Sequence, residues 1–527
     1  MRKKQRTKRI DADMGGKKKF YITTAIDYVN SRPHIGTAYE KIAADALARF
    51  HRVMGQDVMF LIGTDEHSLN VQKQADKLGL APLKYCDDMA LEFEGTWKKL
   101  SVSYDDFIRT TEPRHEETVR DFFNIMHKKG DIYEGVYEGH YCESCEAFLK
   151  DADLDDEKCR VHGLRPSWIK EQNYFFRLSA YSEKLLSHIE AHKDFILPDI
   201  RRNEIVNVIR GGLEDISISR SSVSWGISLP QDPKQVIYVW FDALINYVSG
   251  AGYVSDREKF KTYWPADLHV IGKDITRFHC VIWPAMLMSV GLPLPRTVFG
   301  HGFVSIEGEK MSKTRGTVVY PVEIAETYGA DALRYFLLRE IPFDRDGDFS
   351  IEKLETRYNA DLANDLGNLL SRVVTLAEKK LQGMVKRKET ASDALDNDLK
   401  KSAESALNQL IFSMESFAIH EAVRSAWDFI QRCNRYIEET APWALMKDPS
   451  RQERFEEVIY NLVESLRWIG GMIFPFVPST SERLFEQLGL GAGYVKKIVL
   501  KDFSWDAGPD VYHVVKKDPL FPRLEKK

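Results

Sequence analysis

The sequence lacks the features that mark membrane-spanning, secreted and uniformly basic proteins. No run of about 18 consecutive apolar residues occurs in its 527 residues, so it offers no segment suited to crossing a bilayer. No apolar stretch follows its charged start, which argues against a secretory signal. A large excess of one charge sign is also missing, because the chain has 74 Lys and Arg and 79 Asp and Glu, which gives a formal net charge of −5. A histone-like nucleic-acid binder is therefore excluded, although a local basic groove is not.

Cysteine is scarce too, with six in the chain and three of them between positions 142 and 159. Without a secretory signal, a disulfide framework is a poor interpretation and a metal-binding knuckle is a better one. We expect a cytoplasmic protein. Hydrophobic residues make up 43% and charged residues 29%, as in folded globular chains. The length predicts three or four domains, since one domain usually holds about 100–200 residues.

The first 19 residues differ from the rest in charge. They hold nine Lys and Arg against Asp11 and Asp13, which is +7 locally and leaves −12 for the remainder. The two aspartates argue against a transit peptide, which is poor in acidic residues. We predict a basic, disordered tail over residues 1–19.

The pattern that follows predicts a βαβ unit. Lys19–Ala25 is rich in β-formers, and apolar residues recur at helical spacing after His34. Asp57–Ile62 is a short apolar run typical of a buried parallel strand. A strand, a helix and a second strand in this order predict a parallel sheet, with ligands at the carboxyl ends of its strands.

The same alternation returns later in the chain and then stops. Apolar runs at Val236–Phe241 and Leu268–Ile271 indicate that the β/α pattern resumes there. After about residue 350 the strand signals end, and helical patterns continue to about Leu488. We predict an α/β region followed by an all-helical region.

Two loops carry residues suited to phosphate. Pro33–Thr37 lies where the first helix begins, and a helix N-terminus offers free N–H groups and a positive dipole end. Lys310–Thr314 places two lysines around a hydroxyl, which suits a mobile clamp on a polyphosphate. Taken singly, the first also fits an ordinary structural loop and the second a solvated basic loop.

The three clustered cysteines have metal-ligand spacing. Cys142 and Cys145 are separated by two residues, and Cys159 and His162 follow 13 residues later with the same separation. Three thiolates and an imidazole favour zinc, and four filled positions leave none for a reactive water. We therefore predict one structural zinc ion per chain rather than a catalytic one. Unliganded cysteines are the alternative.

The two loops in this order on a βαβ chain resemble the signatures of class I aminoacyl-tRNA synthetases. Four further segments narrow the resemblance to the methionyl-tRNA synthetase family, and it extends from about residue 20 to the end. These segments are Ala25–Asn30, Gly63–His67, Tyr238–Ala243 and Gly272–His279. One departure is Thr37, because the family's first signature usually ends in a second histidine. A hydroxyl there can still hydrogen-bond a phosphate, but it carries no charge.

The resemblance implies a fold and a reaction. The fold would be a class I Rossmann catalytic domain with a zinc-binding insertion, followed by an all-helical anticodon-binding domain. The reaction would join methionine to tRNA, initiator tRNA included, through an ATP-derived adenylate, with Mg²⁺ accompanying ATP. The implied bounds are 20–133 and 223–303 for the two catalytic halves, 134–222 for the insertion, 304–363 for the second signature loop and stem-contact region, and 364–527 for the anticodon domain.

The resemblance also implies roles for individual residues. His34, Lys310 and Lys313 would be catalytic. ATP would be bound by His34, Gly36, Thr37, Lys273, Lys310, Ser312 and Lys313. Asp65 would receive the methionine ammonium. The methionine side chain would be enclosed by Ala25, Ile26, Tyr28, Trp240, Leu244, Tyr247, Ile275 and His279. Any one of these aromatic residues alone would fit ordinary core packing.

In the helical region, the resemblance assigns the CAU anticodon to a small polar set. Asn364, Asn368 and Arg372 recur at i, i+4 and i+8, which places them on one face of an α-helix. Trp443 follows a proline and offers a ring on which an unpaired base can stack. Without the resemblance, a solvated face and a buried tryptophan would be the simpler interpretation.

Two other functions remain open at this point. A synthetase for another apolar amino acid shares both signature loops, although the set of Tyr28, Trp240 and His279 speaks against it. A tRNA-binding protein without catalytic activity is the second, and methionine-dependent pyrophosphate exchange would separate it from an enzyme. The sequence stops after Phe521–Leu524 without an appended tRNA-binding domain, so we expect a monomer.

Overall fold

The computed structural model of the protein describes residues 18–143, 146–149, 151–160, 163–308, 318–388 and 393–525. The predicted tail therefore lies outside the described residues, apart from its last two positions. The first region forms the predicted βαβ unit and continues with further strands and helices. Its elements are β1 Lys19–Thr24, β2 Asp27–Tyr28, α1 Ile35–Val53, β3 Asp57–Asp65, α2 Leu69–Leu78, α3 Pro82–Lys99, β4 Asp106–Arg109 and α4 Pro113–Lys129.

The next region is dominated by an antiparallel four-stranded sheet, whose neighbouring strands are in order β11 Ile216–Ser217, β9 Ser167–Phe176, β5 Ile132–Cys142 and β6 Ala147–Leu149. Its longest pair, β5 with β9, extends over ten residues. One strand of this region, β10 Ile196–Leu197, instead pairs with the main sheet. The elements are β5 Ile132–Cys142, β6 Ala147–Leu149, β7 Leu154–Asp155, β8 Lys158–Cys159, β9 Ser167–Phe176, α5 Ser182–Ala191, β10 Ile196–Leu197, α6 Asp199–Arg210, β11 Ile216–Ser217 and β12 Ser219–Arg220.

The chain then returns to the main sheet and leads to its second half. The elements are β13 Val236–Ile237, α7 Val239–Leu244, α8 Asn246–Ala251, α9 Arg257–Tyr263, β14 Leu268–Gly272, a π-helical segment Phe278–Ile282, α10 Trp283–Val290, β15 Val298–His301, β16 Val304–Ile306, α11 Pro321–Tyr328, α12 Ala330–Glu340, β17 Gly347–Phe349, α13 Ile351–Arg357 and a second π-helical segment Tyr358–Gly367.

The last region is mainly helical. Its elements are α14 Asn368–Leu381, β18 Met384–Lys386, α15 Ala394–Glu415, α16 Ile419–Thr440, α17 Pro442–Leu445, α18 Gln452–Ile473, α19 Pro478–Gln487 and β19 Val511–His513. Short 3₁₀ turns occupy Asp151–Asp153, Leu178–Tyr181, Lys273–Ile275, Pro449–Arg451, Ala492–Lys497, Leu500–Asp502 and Trp505–Ala507. Among the described residues, none of the helices combines the length and apolar character that crossing a membrane requires.

The main sheet is parallel and seven-stranded, in the order β10-β15-β14-β1-β3-β2, with β4 also paired to β3. Its core lies on both faces, because successive residues of β3 enter different hydrophobic clusters. Phe60 packs towards α1 and the helical region, whereas Met59 and Leu61 pack towards α4 and α8. A strand buried on both sides has to be apolar throughout, which explains the unbroken run that marked it in the sequence.

Gly63 lets β3 approach β4 closely at the carboxyl end of the sheet. A Cβ at this position would lie 2.0 Å from the carbonyl oxygen of Ile108. No side chain fits there, so the glycine is required by the spacing of the two strands. The close approach brings Arg109 beside Glu66, where the guanidinium and the carboxylate form hydrogen bonds of 2.7 and 3.0 Å.

The predicted strands at Lys19–Ala25, Asp57–Ile62 and Leu268–Ile271 are confirmed, with ends shifted by up to three residues. The prediction for Val236–Phe241 was wrong in its second half. Only the first two residues are extended, in a short antiparallel pair outside the main sheet, and residues 239–244 form α7. A short apolar run buried on all sides does not distinguish a strand from a helix turn.

The prediction of an all-helical end was also too simple. β18 and β19 form an antiparallel ladder of three residue pairs, in which Val385 lies opposite Tyr512. Both residues are fully buried against α18 and α14. Strands of three residues are too short for an alternating pattern to show in the sequence.

A single arginine ties the helical region to the sheet. Arg334 of α12 is fully buried, and all five of its guanidinium N–H groups have acceptors. They donate to the carbonyls of Leu100 and Ser101, to the Asp45 carboxylate of α1, and to the carbonyls of Pro475 and Phe476 after α18. The two regions therefore share polar contacts deep in their interface.

Candidate active site

The first helix begins with a histidine that caps its own N-terminus. The Nδ1 atom of His34 accepts the backbone N–H groups of Gly36 at 3.1 Å and Thr37 at 3.3 Å. Because Nδ1 accepts, the ring proton is on Nε2. The Thr37 hydroxyl lies 3.3 Å from the same Nδ1 atom. The structure thus brings His34, Gly36 and Thr37 together at the positive end of α1.

Side chains from several elements meet beside this helix, at the carboxyl ends of β1 and β3, and we call the place where they meet the cleft. Ala25 and Ile26 form the bend between β1 and β2 and are partly exposed. Tyr28 on β2 is the register partner of Asp65 at the end of β3, so the two side chains share one edge. Trp240 of α7 closes the other side, with its ring edge-on to Tyr28 at 5.5 Å. Phe278 stacks on the far face of that indole at 4.2 Å.

Three buried polar atoms of this cleft have no hydrogen-bond partner within the described residues: the Asp65 Oδ1, the Tyr28 hydroxyl and the Trp240 Nε1 atoms. Burial, with the negative charges of Asp242 and Glu146, raises the pKa of Asp65 well above its ordinary value. An unpaired buried polar group costs free energy, so such a group is best explained by a ligand that completes it. A bound cation would stabilise the ionised form of the Asp65 carboxyl.

The deep end of the cleft is formed by side chains from α8 and the π-helical segment. The Tyr247 hydroxyl lies 2.6 Å from His279 Nε2, while His279 Nδ1 lies 3.1 Å from the carbonyl of Ile275. Burial lowers the pKa of His279 to about 4, so its ring is neutral at physiological pH. Nδ1 then donates to the carbonyl, and Nε2 accepts from Tyr247. Leu244 is buried nearby on α7.

A buried network behind Asp65 was missed by sequence reasoning. Asp242 accepts from His67 Nδ1 at 2.7 Å and from His115 Nε2 at 2.6 Å. The second ring nitrogen of His115 lies 3.1 Å from the Ser249 hydroxyl. Burial alone would raise the pKa of Asp242, but the two histidines outweigh it and hold the pKa below its ordinary value. His67 and Asp242 both lie inside segments singled out in the sequence, which was the available signal.

The second signature loop, Lys310–Thr314, lies outside the described residues. Lys310, Ser312 and Lys313 are all in this part of the chain, so their predicted roles stay predictions. Lys273, also predicted to bind ATP, is described. Its ammonium lies 2.7 Å from both carboxylate oxygens of Asp346 and 4.5 Å from the centre of the Phe303 ring.

Two of the four predicted zinc ligands are described. Cys142 ends β5, Cys159 ends β8, and both are buried at hairpin ends. Cys145 and His162 lie outside the described residues. The part of the chain that the structure describes contains no group of three or more His, Cys, Asp or Glu side chains placed to hold a metal ion. The zinc site therefore stays a prediction.

Of the predicted anticodon residues, the structure brings two together. The guanidinium of Arg372 lies 5.4 Å above the ring of Trp443, which is 37% exposed. The same guanidinium donates to Glu438 at 2.7 Å. Asn364 and Asn368 are exposed, and no hydrogen bond, ion pair or ring contact between described side chains joins them to that pair.

The helix that carries these residues departs from the predicted geometry. Asn364 lies in the π-helical segment 358–367, and α14 begins at Asn368. A π-helix bonds residue i to i+5, so a spacing of four residues does not place side chains directly above one another there. The single-face argument holds only from Asn368 to Arg372.

Comparison with known families identifies the chain. The family model described as tRNA synthetases class I (M) matches residues 20–157 and 152–374. The chain belongs to the class I methionyl-tRNA synthetase family. A second model, described as the anticodon-binding domain of tRNA ligase, matches residues 396–515. The synthetase thus combines a class I catalytic domain with a helical anticodon-binding domain.

Relatives that are methionine–tRNA ligases match this synthetase over nearly its full length. A methionine–tRNA ligase of Caldanaerobacter subterraneus subsp. tengcongensis is 49% identical over 97% of this chain and 79% of its own length. The methionine–tRNA ligase of Thermotoga maritima is 44% identical over 97% of this chain and 81% of its own. The activity of the protein is methionine–tRNA ligation, which resolves both alternatives left open by the sequence.

A solved structure of the family superposes closely on the synthetase. The Mycobacterium tuberculosis methionyl-tRNA synthetase in complex with methionyl-adenylate has a TM-score of 0.91 and 42% identity. The match covers 96% of this chain and all of that one. The apo form of the same protein matches with a TM-score of 0.86.

Proposed function

We propose that this synthetase activates methionine in the cleft between the β1–β2 bend and α7, and transfers it to tRNA with a CAU anticodon. The observation that carries the proposal is the set of three buried polar atoms left without partners, on Asp65, Tyr28 and Trp240. An amino acid supplies an ammonium for the carboxylate and polar atoms for the other two. The apolar side of the same cleft suits a thioether.

The methionine ammonium binds Asp65. The side chain of the bound methionine lies among Ala25, Ile26, Tyr28, Trp240, Leu244, Tyr247, Ile275 and His279. Aromatic rings from three elements, β2, α7 and α8, enclose it, and sulfur packs favourably against aromatic edges. The Tyr247 hydroxyl is oriented by the neutral His279 ring, so the deep end of the cleft carries no charge. An uncharged end favours the thioether over an acidic or basic side chain.

Activation proceeds by in-line attack of the methionine carboxylate oxygen on the α-phosphorus of ATP. The bond from that phosphorus to the bridging oxygen breaks, and pyrophosphate leaves with the electron pair. The terminal ribose hydroxyl of tRNA then attacks the adenylate carbonyl and releases AMP. No covalent bond to the enzyme is formed, so positioning and charge stabilisation carry the catalysis.

The ATP phosphates bind at the N-terminus of α1. His34 donates from Nε2, Gly36 allows close approach, and Thr37 offers its hydroxyl. Lys310, Ser312 and Lys313 of the second signature loop also bind the phosphates, with Mg²⁺ carried on ATP. Lys273 joins them when a phosphate replaces its present partner, Asp346.

The CAU anticodon binds at Arg372, Trp443, Asn364 and Asn368, which we call the anticodon face. Trp443 stacks on one base, and the guanidinium above it is placed to donate to a base edge. Initiator and elongator methionine tRNAs carry the same anticodon, so both are substrates. We further propose that the chain acts as a monomer, with domain bounds as the sequence predicts them.

A zinc ion fits the donor set Cys142, Cys145, Cys159 and His162. Each described cysteine is buried at the end of a hairpin strand, and thiolates with an imidazole prefer zinc to harder cations. The ion would supply cross-linking rather than chemistry. Elemental analysis of the purified protein tests this, and Cys159→Ser should lower the zinc content without unfolding the helical region.

The central test is a pair of assays on one preparation. Methionine-dependent pyrophosphate exchange reports activation, and charging of CAU tRNA reports transfer. Asp65→Asn should abolish exchange at ordinary methionine concentrations, whereas a tRNA with a changed anticodon should be charged poorly by the wild-type enzyme. Normal exchange by Asp65→Asn would place methionine elsewhere, and equal charging of both tRNAs would remove the anticodon proposal.

A further inference from the structure

A fully buried lysine lies directly beneath the proposed methionine cleft. Lys41 is the seventh residue of α1 and has no exposed surface. Its ammonium donates to the carbonyl of Ala25 at 2.8 Å, to Asp27 at 3.1 Å and to Glu40 at 2.9 Å. An ammonium has three protons, and these three acceptors use all of them.

Two of those acceptors belong to the bend that lines the cleft. Ala25 and Asp27 flank Ile26 in the turn from β1 to β2, and the next residue is Tyr28. Besides the Lys41 ammonium, the Ala25 carbonyl accepts the Thr24 hydroxyl at 3.1 Å. Lys41 therefore binds the bend on both sides of Ile26 and attaches it to α1.

The third acceptor connects the lysine to the far side of the sheet. Glu40 also lies 3.0 Å from His301 Nε2, at the carboxyl end of β15. Burial would lower the pKa of Lys41, but the charges of Asp27 and Glu40 outweigh it and hold the pKa above its ordinary value. The ammonium therefore stays protonated and keeps three protons to donate.

A buried cation of this kind is costly for a fold that could use an apolar residue instead. Replacing a buried ion pair with well-packed hydrophobic residues is often neutral or stabilising. The three residues that follow Lys41 on α1, Ile42, Ala43 and Ala44, are apolar and fully buried. Stability alone therefore does not account for a lysine here, whereas a need to fix the bend does.

We propose that Lys41 is a positioning residue for methionine, which sets the width of the cleft by holding the β1–β2 bend against α1. The inference rests on the proposed location of methionine. It assigns Lys41 no contact with substrate, since the ammonium is fully used by Ala25, Asp27 and Glu40. The expected consequence of its loss is a displaced Ala25–Tyr28 segment and weaker methionine binding, with the ATP side of the site intact.

Two variants test this in the full-length enzyme by pyrophosphate exchange. Lys41→Met keeps the length of the side chain and removes the ammonium. Lys41→Met with Asp27→Asn also removes a carboxylate that would otherwise stay unpaired, and serves if the single variant folds poorly. In both, the KM for methionine should rise about 10- to 100-fold, because small displacements of positioning groups have effects of this size. The KM for ATP and the kcat at saturating methionine should change by less than about threefold on the same reasoning.

A matched control separates positioning from stability. Arg467 and Glu464 form a buried ion pair in the helical region, with side chains 2% and 0% exposed. Arg467→Met should lower the thermal midpoint as Lys41→Met does, yet leave the KM for methionine unchanged. If the Lys41 variants lose kcat, both KM values and thermal stability together, or show normal kinetics, the inference is overturned.

Asp65→Asn distinguishes this failure from failure of the proposed function. If Asp65→Asn raises the KM for methionine and the Lys41 variants do not, the cleft binds methionine and only the role of Lys41 is wrong. If neither change affects methionine, the proposed cleft itself is wrong.

Discussion

The proposed methionine cleft and the anticodon face differ in how much of their polar chemistry is already satisfied. In the cleft, Asp65, Tyr28 and Trp240 each present a buried polar atom without a partner among the described residues. On the anticodon face, Arg372 already has Glu438 at 2.7 Å and the Trp443 ring at 5.4 Å.

The difference indicates two ways of recognising a ligand. A buried unpaired group disfavours any ligand that leaves it unpaired, so in the proposed cleft a wrong ligand would bind at a large cost in free energy. An exposed group with its own partner loses little free energy when that partner is exchanged for a base, so discrimination at the proposed anticodon face would be weaker. Substitutions in the cleft should therefore have the larger effects, and the predictions below test that order.

Asp65→Asn should have the largest effect. The variant keeps the shape of the side chain but gives the methionine ammonium a neutral amide in place of a carboxylate. Loss of one partner of a buried charged pair costs roughly 2–5 kcal/mol, a factor of about 30 to 5,000 in methionine binding. Pyrophosphate exchange over a methionine titration measures it. Glu421→Gln, an exposed change in the helical region, is the control and should behave as wild type.

Protonation of His279 should have the next largest effect, on stability rather than on binding. The pKa of His279 is about 4 in the folded protein against 6.5 for a free histidine. As pH falls below 6.5 the unfolded chain takes up the proton first, so stability is lost down to about pH 4. The shift corresponds to about 3 kcal/mol.

The measurement is the thermal unfolding midpoint at about pH 7.5 and about pH 5. His279→Gln should narrow the difference between the two midpoints, because the glutamine does not titrate. The exposed His192, changed in the same way, is the control and should leave the difference as it is in wild type. An unchanged difference in His279→Gln would mean that this ring is not the titrating group.

Trp443→Ala should have a smaller effect, confined to tRNA. Removal of a stacking ring costs roughly 1–3 kcal/mol per base. Charging of CAU tRNA should fall accordingly, and methionine-dependent pyrophosphate exchange should stay near wild type. Trp168, an exposed tryptophan on β9, provides the matched control. A fall in exchange with Trp443→Ala would show that the two regions are not independent.

Glu438→Gln should have the smallest effect and the opposite sign. An exposed ion pair is worth about 0–1 kcal/mol, and Glu438 is 62% exposed. Its loss frees Arg372 and removes a negative charge that faces RNA, so the KM for tRNA should fall by less than about fivefold. A rise in that KM would show that Glu438 orients the guanidinium for its base.

Local patterns of the sequence were sufficient for part of the fold. The sheet strands and α1 were predictable because a strand buried on both faces is apolar throughout and a helix packed on one face is periodic. Residues 239–244 were not, since a short buried run has no period, and the β18–β19 pair was too short to show one. The π-helical segments were also not predictable, because their backbone pattern depends on packing from distant parts of the chain.

The candidate site depended more strongly on distant contacts. His34 and Gly36 could be placed from a loop before a helix, but the cleft residues came from resemblance alone. The network of His67, His115 and Asp242 joins residues 127 and 175 positions apart. Periodicity in the sequence reports only on neighbouring residues and cannot reveal contacts over such separations. This network and the contacts of Lys41 could therefore be found only in the structure.

Arg334 has a consequence for how the gene can be divided. A fragment that ends before residue 364 keeps Arg334 and Asp45 but removes the carbonyls of Pro475 and Phe476, which take two of the five guanidinium donors. It also uncovers the apolar surface of α12 that lies against α16 and α19. Two separate family models match the chain, but one hydrophobic core extends through both matched regions. Trimming the protein to a catalytic fragment would therefore cut through its core rather than through a linker.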